Sequence, residues 1–278
     1  MSPCLRTPCV LSIAGSDSGG GAGIQADLKA FAACGVHGMT ALTALTAQNT
    51  REVAAVTAVS PEMIRAQVGA VAGDLGVDAV KVGMLGTAET VAAVAEALAE
   101  LPPEVPVVVD PVRVAESGAT LLDADARAEL VGRLLPRATV LTPNLAEAEV
   151  LAGAPAAVPD LGRAVLALGP TCVVITGGHR EAATDVFLDG QHVVEIPGAR
   201  YPDGAAHGSG CTHSSALAAH LALGADPLTA ARAARALAGE AVRGGLRDVG
   251  HGAGPVDVLD ISSRRRRGLA PTSDIIEA

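Results

Sequence analysis

The chain has almost no aromatic residues: tryptophan is absent, and Phe31, Phe187 and Tyr201 are the whole set. Bases of a single strand stack on aromatic faces, so a stacking platform for nucleic acid is excluded. Cations are scarce too, with 20 Lys and Arg against 30 Asp and Glu and a formal net charge of -10. Nucleic acid and anionic membranes normally need a basic face, and this balance argues against both as partners. No uninterrupted apolar run reaches the ~18 residues of a membrane span. The five cysteines, at 4, 9, 34, 172 and 211, form no CxxC pair and show no zinc spacing. An odd, scattered set reads as reduced thiols in a cytoplasmic setting. The opening MSPCLRTPCVLSIAGS has only a short apolar run and no A-x-A site, so no signal peptide is expected.

What is present is apolar. At 278 residues and 49% hydrophobic content, the chain has enough material for a large buried core. Short β-branched runs alternate with longer Ala/Leu/Glu-rich segments, the pattern of an α/β fold with a mainly parallel sheet covered by helices. Strands are predicted over 10–14, 40–46, 53–59, 79–82, 105–109, 139–141 and 172–176. VPVVV and CVVIT are continuous apolar runs, which are buried on both faces. Helices are predicted over 62–76, 87–101, 123–135, 161–168 and 227–242, with another behind the cap Asn144 running to Leu151 and one opened by Cys211 behind the glycine turn and running to Leu223. Pro61 sits at N1 behind the cap Ser60, and Asn144 and Asp226 stand as further caps. Asp189-Gly190 between two apolar runs predicts a type I′ hairpin, which adds antiparallel strands at one edge. No linker or repeat breaks the chain, so one domain is expected over 1–262, with a mobile tail over 263–278 that includes Arg264 to Arg267.

In such sheets ligands bind beyond the carboxyl ends of the strands. The loop Gly15 to Gly23 contains a G-x-G-x-x-A at Gly21, Gly23 and Ala26, but no acidic residue stands where a dinucleotide's ribose would need one. It lacks the GK[ST] of a Walker A motif. The stretch HGSGCTHSS, from His207 to Ser215, is stronger. Gly208 and Gly210 let successive N–H groups converge on one anion, and the helix that opens there adds its positive end. Cys211 then occupies a place where a thiol's pKa is lowered, or else it is a small packed residue under a capped turn. Asp110 ends a buried strand and needs a cation or donors. Asn144 and Glu147, one helical turn apart, either surround Mg²⁺ with its waters or form a capping box. Gly177 and Gly178 end the CVVIT strand.

With these residues in place the chain resembles the ribokinase superfamily, and within it the hydroxymethylpyrimidine/phosphomethylpyrimidine kinase family of thiamin biosynthesis. The matching segments are IAGSDSGGGAGIQADLKAF, TALTAQNT, KVGML, DPV…SG…LL, LLPRATVLTPNLAEAEVL, GGH, HGSGCT and GHGAGPV, in order over nearly the whole chain. The resemblance implies a three-layer, ribokinase-like α/β sandwich, MgATP as phosphoryl donor and a hydroxymethyl or phosphate acceptor. It implies an anion hole at Gly208, Ser209, Gly210 and Cys211, with Cys211 as base. Gln48 is implied as the reader of the pyrimidine, with Gly15, Asp27 and Met84 lining its pocket. Asp110 and Glu147 are implied as the metal side, and Asn144, Glu147, Thr176 and Gly178 as the nucleotide side. The family further implies a cytoplasmic homodimer. Three positions depart from its pattern: Glu116 and Thr176 stand where lysines are usual, and Arg113 where a methionine is. Competing readings are a vitamin B6 kinase on the same scaffold, an NAD-dependent oxidoreductase using the first glycine loop, and a ligand sensor without turnover.

Overall fold

The computed structural model describes residues 6–112, 124–178, 183–202 and 204–266. In chain order the elements are β1 (Cys9–Ala14), α1 (Gly23–Ala33), β2 (His37–Leu42), β3 (Ala44–Gln48), β4 (Val53–Ala58), α2 (Pro61–Asp74), β5 (Ala79–Val82), α3 (Ala88–Ala99), β6 (Val107–Val109) and α4 (Ala124–Glu129). They continue with β7 (Val140–Leu141), α5 (Leu145–Ala152), α6 (Val158–Leu166), β8 (Cys172–Ile175), β9 (Asp185–Leu188), β10 (Val193–Ile196), α7 (Ser209–Ala222), α8 (Pro227–Arg243) and α9 (Ile261–Arg266).

Among the described residues the strands form an eight-stranded sheet in the order β10-β9-β8-β7-β6-β5-β1-β2, and β3 and β4 form a separate pair. From β2 to β8 the neighbours run parallel, while β9 and β10 are antiparallel. The expected α/β sandwich with an antiparallel edge is thus the observed one. Alternation along the strands divides the core in two. Leu11 and Ile13 of β1 point to the face covered by α2, α3, α5 and α6, where Ile64, Leu98, Leu151 and Leu161 pack. Val10, Val108, Val140 and Val174 point the other way, onto Phe31 of α1 and the alanines of α7 and α8. Ala216, Ala219, Ala230 and Ala234 are fully buried, so these two helices meet through small side chains.

The helix starts follow local chemistry. Ser60, Thr87 and Asp226 each accept from the backbone N–H three residues on, and Pro61 and Pro227 occupy the first turns of their helices. Three expectations need correction. The strand predicted over 40–46 is two strands: at Thr43 the chain leaves the main sheet, with Thr43 Oγ1 donating to Met84 O at 2.7 Å, and β3 pairs with β4 instead. The β9–β10 connection is not a two-residue type I′ turn. Leu188 pairs with Val193, so four residues span the turn, and the Asp189 carboxylate accepts from the N–H groups of Gln191 and His192. The helix predicted over 123–135 is α4 followed by a π-helical stretch, Leu130–Leu134, and a 3₁₀ turn, Leu135–Arg137. The expected tail begins inside α9, and 267–278 lie outside the described residues.

Candidate active site

The loops after β1, β5, β6, β7 and β8 open at the same end of the sheet, and α7 starts among them. Between them lies a cavity of about 410 Å³. Every site residue expected from the sequence lines it except Asp27. Arg113, Glu116 and His179 lie outside the described residues.

Gly208 caps α7 in the left-handed conformation, with φ of 85°, and its carbonyl accepts the Thr212 N–H at 2.9 Å. A Cβ there would lie 1.7 Å from Gly21 O, so only glycine lets the two loops meet. The first N–H groups of an α-helix have no intrahelical acceptor and carry its positive end; the Ser209 N–H donates to Ala206 O at 3.0 Å, so the following amides of Gly210 and Cys211 offer an anion cradle to the cavity.

Cys211 sits in that first turn, but its thiol is not acidified. Burial pushes it up to about 12, with Lys81 opposing and the carboxylates of Asp27 and Asp110 adding to the rise. The lowered pKa expected from the helix end is thus overturned: desolvation of the thiolate outweighs it.

Asp27 also differs from its expected place. It is fully buried beneath the cavity, where it accepts from Lys81 Nζ at 2.9 and 3.0 Å, Ser12 Oγ at 2.6 Å and Ser215 Oγ at 2.7 Å. Lys81 itself reaches the cavity wall. Its ammonium is held above its ordinary range: burial works against the charge, but Asp27, Cys211 and Asp110 favour it more. The sequence carried a signal for this residue. A lysine in the middle of the buried strand AVKV asks for a countercharge just as Asp110 does.

Asp110, past β6, is 7% exposed and accepts from Ser214 Oγ at 3.0 Å. Burial raises its pKa, with Lys81 acting the other way. Asn144 and Glu147 form the capping box in full: Asn144 Oδ1 accepts from Glu147 N–H and Glu147 Oε2 from Asn144 N–H, both at 2.9 Å. Glu147 still lines the cavity. Two wall carboxylates suit a cation that keeps its waters and arrives on phosphate, as Mg²⁺ does, more than an all-protein cage.

At the far end Gln48 closes β3. Its backbone exchanges hydrogen bonds with Ser18 Oγ at 2.8 Å each way, and its Oε1 lies 3.3 Å from Thr46 Oγ1. Met84 covers Gly15 so closely that a Cβ at Gly15 would sit 2.7 Å from Met84 Cε. Opposite, Thr176 and Gly178 line the cavity with Asp185, Tyr201 and Arg235. His213 Nε2 stands 3.1 Å from Asp185 Oδ2 and Arg235 Nε 3.8 Å from Asp185 Oδ1. This trio, with Asp185 and His213 buried and Arg235 half-buried, and the contact of His207 Nε2 with Asp17 Oδ2 at 3.1 Å, went unread in the sequence, because each joins residues far apart in the chain.

The profile of the phosphomethylpyrimidine kinase family matches residues 17–257. A hydroxymethylpyrimidine/phosphomethylpyrimidine kinase of Rhizobium meliloti is 48% identical over 258 residues, 90% of this chain and 96% of that one. Among solved structures, the phosphomethylpyrimidine kinase of Clostridium difficile superposes with a TM-score of 0.72 at 38% identity, covering 83% of this chain and 97% of that one. An ADP complex of Bacillus subtilis pyridoxal kinase superposes with 0.83 at 36%, covering 92% and 99%. Glycine loops, cysteine-bearing helix and lengthwise identity agree, and the chain belongs to the phosphomethylpyrimidine kinase family.

Proposed function

We propose that the protein transfers the γ-phosphoryl group of MgATP to the hydroxymethyl oxygen of 4-amino-5-hydroxymethyl-2-methylpyrimidine, and then a second phosphoryl group to the monophosphate. The observation that carries this reading is one cavity with Gln48 and Met84 at one end, Thr176 and Gly178 at the other, and the start of α7 between them. Gln48 presents an amide that accepts from an exocyclic amine and donates to the adjacent ring nitrogen, the logic by which amides read adenine. The acceptor hydroxyl then faces the cradle of Gly208, Ser209, Gly210 and Cys211.

Phosphoryl transfer asks a protein for alignment and charge stabilisation more than for covalent work. The first-turn amides of α7 hold the transferring group and take up its growing charge. As the new O–P bond forms and the bond from the γ-phosphorus to its bridging oxygen breaks to release ADP, the hydroxyl proton passes to the Cys211 thiolate, which becomes the neutral thiol; Lys81 offsets the negative charge of the thiolate before the proton arrives. Mg²⁺ bound with the nucleotide would be held by Asp110 and Glu147 and would neutralise charge on the phosphate oxygens.

A homodimer belongs to the same reading. Its support is the β3–β4 hairpin, which leaves Leu45 52% and Val56 53% exposed. So does a cytoplasmic setting, where MgATP is available. No helix among the described residues is long and apolar enough to cross a membrane.

A second reading, phosphorylation of pyridoxal, is favoured by the superposition on pyridoxal kinase. Incubation with MgATP and the pyrimidine alcohol, with pyridoxal in a parallel reaction, separates the two by mass spectrometry. Mono- and diphosphate from the pyrimidine are expected. Phosphorylated pyridoxal beside untouched pyrimidine would overturn the first reading in favour of the second.

A further inference from the structure

The loop Gly15 to Gly23 touches both halves of the reaction. On one side Ser18 Oγ exchanges hydrogen bonds with the Gln48 backbone, and Gly15 O accepts the Ile24 N–H at 3.0 Å, which folds the loop back onto the acceptor pocket. On the other side the loop meets the anion cradle through Asp17. This carboxylate is 1% exposed. Its Oδ1 accepts from Gly19 N–H at 2.8 Å, and its Oδ2 from Gly21 N–H at 3.0 Å and Ala22 N–H at 2.8 Å.

The remaining partner of Oδ2 is His207 Nε2, 3.1 Å away and also buried. An ionised carboxylate only accepts, so the imidazole donates from Nε2. His207 is itself fixed from behind: its N–H donates to Gly254 O at 3.2 Å and its carbonyl accepts the Val256 N–H at 3.1 Å. The next residue is Gly208, the cap of α7. Its close approach to Gly21 O, and a would-be Gly21 Cβ only 2.2 Å from His207 Cδ2, leave no slack between the loops. The last residue of the cradle's approach is therefore tied, through one side-chain pair, to the loop that holds Gln48.

We propose that Asp17 and His207 are a positioning pair: their contact sets the spacing between the acceptor hydroxyl and the phosphate cradle. Neither touches the reacting atoms. They act through the Gly15 to Gly23 loop and through Gly208, so their loss misaligns the reactants rather than removing a binding contact. The pair also keeps the Asp17 charge directed at a donor and away from the incoming phosphate. The inference rests on the kinase reading above.

Steady-state kinetics of His207→Leu, His207→Gln and Asp17→Asn on the pyrimidine alcohol and on pyridoxal tests it, with melting temperatures measured alongside. In His207→Leu, kcat falls about 10- to 100-fold, as misplacement of reacting groups by about 1 Å does, while KM for the acceptor stays within about threefold. His207→Gln, whose amide still donates, recovers most of the loss. The losses in the double variant Asp17→Asn/His207→Leu fall short of the product of the two single losses, because both substitutions act on the shared contact. Unchanged kcat in His207→Leu, or a loss that Gln does not rescue although it melts like the wild type, overturns the proposal. A wild-type protein that turns over neither acceptor strikes the kinase reading instead. The pair is then decided by amide hydrogen exchange at Gly21 and Ala22: faster exchange in His207→Leu with recovery in His207→Gln upholds it, and equal exchange in all three removes it.

Discussion

At Cys211 two environments compete. The helix end favours a thiolate, and burial opposes it strongly enough to carry the thiol to about 12. If the sulfur must ionise to take the alcohol proton, the reactive fraction grows with pH throughout the neutral range, since the titration lies well above it. We expect kcat/KM to rise close to tenfold per pH unit between about pH 7 and 9, until another group's titration intervenes. A flat profile over that span means that the proton leaves by another route. Cys211→Ala should lower kcat by about 10²- to 10⁴-fold, the usual worth of a positioned base. Lys81 belongs to the same scale. It is the cation nearest in effect to that thiol, and it is paired with Asp27 where both are fully buried. Removing one partner of a buried pair leaves an uncompensated charge, so Lys81→Met should cost about 3–5 kcal/mol in urea denaturation. Lys81→Met/Asp27→Asn should recover part of that, and equal costs for single and double variants would deny the pair its role.

At the scale of elements, the start of α7 is the piece on which the chemistry turns. Its cap requires both a left-handed residue and the absence of a side chain, because Gly21 O occupies the space a Cβ would take. Gly208→Ala must therefore push the first loop and the helix apart. The expected result is loss of turnover by at least about 10²-fold, the scale set by sub-ångström to ångström misplacement, with far-ultraviolet circular dichroism unchanged. Retained turnover would show that the loops have slack. The elements themselves were readable from sequence wherever one physical cause dominated. CVVI and VVV, apolar without interruption, could only be buried strands, and Ser60-Pro61 and Asp226-Pro227 could only begin helices. The run TALTALTAQNT was harder. Its Thr-Ala-Leu pattern continues through Thr43, and what divides it is a hydrogen bond to Met84 O, 41 residues away, that no local pattern announces. The site divides in the same manner: glycine turns and strand-end carboxylates stand out in the sequence, while Lys81 with Asp27, His207 with Asp17 and His213 with Asp185 exist only once the sheet has brought their strands and helices together.

Over the whole molecule, the β3–β4 hairpin stands apart from the main sheet with an apolar surface, Leu45 and Val56, that has no cover among the described residues. Gln48 lies at its end, so whatever covers the hairpin also steadies the acceptor pocket. Sedimentation should give a dimer for the wild type and a monomer for Leu45→Glu/Val56→Glu. Two buried half-exposed aliphatic side chains on each subunit are worth roughly 1–3 kcal/mol apiece, enough to decide an association of modest affinity. A variant that remains dimeric would place the interface elsewhere.

The contact between Asp17 and His207 spans 190 positions. A chain growing on the ribosome lays down the acceptor side of the cavity early, with β1, β3 and the first glycine loop, and His207, next to the cradle, follows only 190 residues after Asp17. Until then the loop is held by Gln48 through Ser18, and Asp17 lacks its imidazole partner. The acceptor side and the phosphate side of the cavity are in this sense made at different times, and the contact between Asp17 and His207 is where they are first joined.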